Sequence, residues 1–164
     1  MSRRDLTWFT AAAVLGTAHA AASLYWAIGG DFLAGTVGAW AVAWRAGSPA
    51  AAGLTLGAIG LAKLAGAWVP WAAARTGGPR GALRVLCWLG AGLLVAYGLA
   101  NSVAANVVLT GILGPVDDVV ATRGHAWLWD PLFLAWGLTL AVGLWRTRRR
   151  PAPEERTVVE LSRR

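Results

Sequence analysis

The chain is nearly empty of the residues from which reactive sites are built. It has one cysteine, Cys87, which excludes an internal disulfide and any paired-cysteine redox or zinc motif. It has one lysine, Lys63, among fifteen basic residues. It has two histidines, His19 and His125, and nothing near either supplies two further ligands at a recognised spacing, so no metal is expected. No reaction-specific motif is present, and no cofactor is expected. Charged residues make up only 14% of the chain. The net charge of +7 sits at the ends of long apolar runs, not on a phosphate-binding face, so nucleic acid is not expected as a partner.

What is abundant is apolar: hydrophobic residues reach 57%, with many glycines and alanines, as in packed membrane helices. Four runs stand out. Leu6 to Ile28 has no formal charge apart from His19, and Ala50 to Ala74 holds only Lys63. Val85 to Val116 holds none, and Ala126 to Trp145 holds only Asp130. Crossing a bilayer takes about 20 apolar residues as helix, and backbone in lipid must satisfy itself internally, so each run reads as a spanning helix. The third should stop near Thr110, before Gly111, Gly114 and Pro115. Phe32 to Trp44 is too short to cross and reads as interfacial or re-entrant. The expected fold is an all-α integral membrane protein, a four-transmembrane-helix up-down bundle. Its domain covers residues 1–146, with helices at about 6–28, 50–74, 84–110 and 126–146 and an outer interfacial loop at 29–49. A basic tail at 147–164 is expected to be disordered and cytoplasmic.

Four crossings sort the arginines twelve to two: only Arg45 and Arg123 fall on the poorer side. By the positive-inside rule both termini are then cytoplasmic, in a bacterial inner membrane. A competing reading takes SRRDLT and Ala18-His19-Ala20 as a cleaved leader. Against it, the apolar run continues past that site to Ile28.

The polar residues within these runs are the candidate site. Small residues let helices approach closely. Ala12, Gly16, His19, Ser23 and Trp26 make one such stripe, and Gly53, Gly57, Gly60, Lys63 and Ala67 another. If both face inward, His19 and Lys63 converge near the midplane, joined by Tyr97 and Asn101. Lys63 is about 18 Å of helix from either end, too far to snorkel out, so it is expensive unless paired or facing water. Asp130 either caps a helix at Pro131 or pairs, with His125, Arg123, Lys63 or His19 as partners. Most of the eleven tryptophans suit the interfacial belts; only Trp26 looks like a pocket wall.

The segments HAAASLYWAIGGD and HAWLWDPLFLAWGL resemble the small bacterial four-helix membrane proteins grouped as domain of unknown function 3995, over most of residues 6 to 146. The resemblance implies a fold and a membrane location and no activity. It implies that His19, Tyr25, Trp26, Gly29, Gly30, His125, Trp129, Asp130 and Pro131 are its characteristic positions. Two classes of function follow. One is a protein that binds a membrane lipid or small amphiphile in an outward-facing polar pocket formed by His19, Tyr25, Trp26, Lys63, Tyr97, Asn101, His125 and Asp130, or that serves as a subunit beside a second copy or a membrane partner. The other is an isomerase-like enzyme on an isoprenoid, sterol-like or quinone substrate, with His19 as acid/base and Lys63 stabilising charge. An oligomeric transporter is a third reading.

Overall fold

The computed structural model describes residues 2–148; the basic tail from residue 149 onward lies outside them. Helix starts follow local chemistry. α1 (Arg3–Ala27) opens with a capping box, in which the Ser2 hydroxyl accepts from the Asp5 N–H at 3.1 Å and the Asp5 carboxylate reaches back to Ser2. A short helix α2 (Ala39–Gly47) follows a single 3₁₀ turn at Ala34–Thr36. α3 (Pro49–Arg75) begins on proline, whose missing N–H costs nothing there. α4 (Gly81–Leu109) comes next.

The last helical stretch starts earlier than residue 126. α5 (Val119–Gly124) runs through a π-helical turn at His125–Trp129 into α6 (Asp130–Arg146) without a break. Asp130 therefore lies inside a continuous helix and caps nothing. The cap is Asp118, whose carboxylate accepts from the N–H groups of Ala121 at 2.9 Å and Ala39 at 3.1 Å. The second bond spans 79 residues of sequence and ties α2 to the start of α5.

The long helices pack in the row α3, α1, α6, α4. α1 and α3 meet along their length, α6 lies against α4, α1 and α6 form the middle seam, and α3 and α4 barely touch. Glycines set the close approaches. A Cβ on Gly16 would stand 2.7 Å from Ala67 and from the Trp136 ring. The α1 stripe expected to face inward is buried from Ala12 through Gly16, His19 and Ser23 to Trp26. Among the described residues there are no strands. Three helical segments are long and apolar enough to cross a membrane: Pro49–Arg75, Gly81–Leu109 and Val119–Arg146. α1 is 25 residues long, but threonines, His19 and Ser23 dilute its hydropathy.

The cap at Asp118 has a pH consequence. The backbone N–H of Ala121, then that of Ala39, holds this carboxyl below its ordinary range. A depressed folded-state pKa stabilises above the unfolded value of about 3.9 and ceases to do so as pH falls through the folded one. Amide exchange at Ala39 and Ala121 is therefore expected to quicken, relative to the α3 interior, once the solution drops below about pH 4. Asp118→Asn, which keeps an acceptor, should remove that pH dependence.

Candidate functional site

α1 and α3 approach closely because Gly60 gives room to Leu24, and this brings Lys63 under α1. The Lys63 ammonium donates to the Ser23 hydroxyl at 2.9 Å and meets the His19 Nδ1 at 3.1 Å. An ammonium can only donate, so Nδ1 accepts and the His19 proton sits on Nε2. That Nε2 is buried and has no partner among the described residues. The imidazole stacks on Phe133 at 3.8 Å between ring centroids, and Lys63 Nζ lies 5.4 Å from the centre of the same ring. The expected convergence of His19 and Lys63 is thus present, built from α1, α3 and α6.

His125 and Asp130 form a second and separate cluster. They are five residues apart, and in an α-helix residues at that spacing do not stack. The π-turn between them, closed by i→i+5 bonding, does stack them. His125 Nδ1 lies 3.0 Å from the fully buried Asp130 carboxylate, and Nε2 lies 3.2 Å from the Val37 carbonyl. Both partners are oxygens that accept hydrogen bonds, so the ring is held from both sides. Nearby bonds fasten the loop between α1 and α2. Trp129 Nε1 donates to Thr36 Oγ1 at 2.9 Å, Trp26 Nε1 donates to the Phe32 carbonyl at 2.9 Å, and Arg45 donates to the Gly30 carbonyl. Trp129 links the two clusters: its ring centroid is 5.6 Å from that of His19 and 5.2 Å from that of Trp26.

The remaining expected members are placed otherwise. Tyr25 is 42% exposed and packs on Gly30, away from Lys63. Asn101 turns back on its own helix, donating to the Tyr97 carbonyl at 2.9 Å. Tyr97 meets Phe133 edge-on, at 5.6 Å between ring centroids. Asp130 makes no ion pair with Lys63; its partner is His125. A small recess of about 310 Å³ beside α2 includes Trp26 but none of the polar candidates.

The larger opening is elsewhere. Because α3 and α4 do not close on each other, a groove of about 550 Å³ remains between them, floored by α6. Lys63 lines it, with Gly66 and Pro70 from α3, Leu86, Cys87 and Gly90 from α4, and Phe133 and Trp136 from α6. It follows α3 from Ile59 past Lys63 to the Pro70 and Leu83 end, so most of it lies opposite to the side expected from the polar residues alone. Phe133 and Trp136 were missing from the sequence expectation. Their signal was there: Trp129, Phe133 and Trp136 fall at i, i+4 and i+7, and Trp136 lies mid-helix where no interfacial belt explains it. Trp136 is buried and its Nε1 lacks a partner among the described residues.

The arrangement offers donors, an apolar trough and no set of three metal-ligating side chains among the described residues. No curated protein and no solved structure matches the chain. The family model that does match covers residues 7–140, most of the described chain and both clusters, and by it the chain belongs to the family described as Protein of unknown function (DUF3995).

Proposed function

We propose that the chain is a multi-pass protein of the bacterial cytoplasmic membrane that binds a lipid or other small amphiphile in the groove between α3 and α4. In this reading α1 crosses together with the three more apolar segments, as an up-down bundle with both termini cytoplasmic. The twelve-to-two division of arginines supports that orientation. One observation carries the binding reading: two neighbouring helices leave a trough that is apolar along its length and polar only at Lys63. A trough open to the side admits a ligand directly from lipid. A volume of about 550 Å³ is in the range of small-molecule sites, roughly 300–1,000 Å³. Binding is favoured over acid/base catalysis because His19 packs behind Phe133 and does not line the groove.

Filling the trough tests this. A Cβ on Gly90 meets nothing within 4 Å, and Gly90 lines the groove. Gly90→Phe is expected to fold like the parent chain and to lose co-purified lipid in native mass spectrometry from mild detergent. Retention of the same lipid by a folded Gly90→Phe protein would refute the groove as the binding site.

A further inference from the structure

Resting on that reading of the groove, we propose that its occupant is a single-chain amphiphile with a carboxylate head, seated on Lys63. Among the described residues that line the groove, the group with a hydrogen bond to spare is the Lys63 ammonium, a donor. Lys63 has three N–H groups and spends two, on Ser23 and His19. Native interiors rarely leave a polar N–H unpaired, so the third points to a missing acceptor. The charge argues the same way. No carboxylate among the described residues forms an ion pair with Lys63: Asp5 is taken by Arg146 and Asp130 by His125. An ammonium at this depth is costly until a counter-charge meets it, and an anionic head supplies both the charge and the acceptors. A neutral carbonyl would supply acceptors alone.

Shape restricts the class further. The groove follows α3 from Ile59 to Pro70, about 17 Å at 1.5 Å rise per residue, as one cleft. Lys63 lies near the middle of the 27-residue α3. A phospholipid head is held at the interface, about 15 Å from the centre of a 30 Å core, and cannot reach it. A free acid with one chain can, with its tail laid along Pro70, Leu86 and Cys87.

The test uses the full chain in mild detergent, titrated by native mass spectrometry with hexadecanoic acid, hexadecan-1-ol and hexadecylamine. The expected order is one acid per chain, bound about tenfold or more tighter than the alcohol, with the amine weakest. Lys63→Met is expected to remove the acid's advantage over the alcohol. If parent chain binds acid and alcohol equally, the carboxylate assignment is wrong and the groove reading survives. If none of the three binds, or the groove is covered by a second copy in a stable dimer, both readings fall. The acid-to-alcohol ratio on the parent chain decides the matter even if Lys63→Met does not fold.

Discussion

A Gly98→Leu chain is expected to lose the packing of α4 on α6. Gly98 is buried where the two backbones nearly touch. A Cβ there would lie 2.5 Å from the Leu134 nitrogen, 2.6 Å from the Asp130 carbonyl oxygen and 2.9 Å from the Leu134 Cα. All three are backbone atoms inside a helix, so no side chain can swing aside, and the helices must separate. Overpacking typically costs about 1–3 kcal/mol where neighbours adjust, and here the cost should exceed that. Gly137 sits about one turn further along the seam, where a Cβ would meet the Val95 nitrogen at 2.8 Å, and Gly137→Leu should behave alike. Gly92, on the same helix as Gly98 with nothing within 4 Å, provides the control. Thermal unfolding in detergent, followed by circular dichroism, should show Gly98→Leu and Gly137→Leu melting far below the parent and Gly92→Leu melting with it. An unshifted Gly98→Leu would mean that α4 does not seat on α6 as described.

Asp130→Ala is expected to destabilise the folded chain by about 2 kcal/mol, the range for a hydrogen bond to a charged group. The carboxylate is 1% exposed and His125 is its ion-pair partner. Removing it strands His125 Nδ1 beneath the loop between α1 and α2 and leaves Val37 as the ring's one remaining acceptor. The loss should therefore spread to the 34–36 turn, with faster amide exchange there than in α3. Asp130→Asn keeps an acceptor for His125 Nδ1 and should recover at least half of the loss. If Asn and Ala are equally damaging, charge and not the hydrogen bond holds this corner together. Groove binding by either variant should be unchanged, because neither His125 nor Asp130 lines the groove.

How far the site could be read from residues alone depended on periodicity. His19 and Lys63 sit on stripes of small residues with regular helical spacing, and such stripes must face a neighbour; that inference placed both correctly. His125 and Asp130 were singled out as charged groups near an apolar helix, but their mutual position depends on the π-turn, and a five-residue step has no place in an α-helical pattern. The helix start moved from 126 to Val119 because Asp118, just ahead of it, caps the Ala121 N–H and is itself held by the Ala39 N–H from far along the chain. Tyr25 and Asn101 failed for a common reason: each satisfies its polar group or packs its ring within a few residues, and local partners of that kind leave no mark in spacing. The groove was invisible in sequence because it is a property of two helices that barely touch.

The π-turn also fixes something distant from it. Each residue of an α-helix turns the chain by about 100°. A chain one residue shorter between Gly124 and Asp130 would let that stretch relax into ordinary α-helix and would rotate every later side chain of α6 by that angle. Phe133 and Trp136 would swing off the groove floor, and Gly98 would meet a different residue across the seam. The extra residue in the turn acts as a shim: it sets the azimuth of a seventeen-residue helix, and through it the floor on which any bound chain must lie.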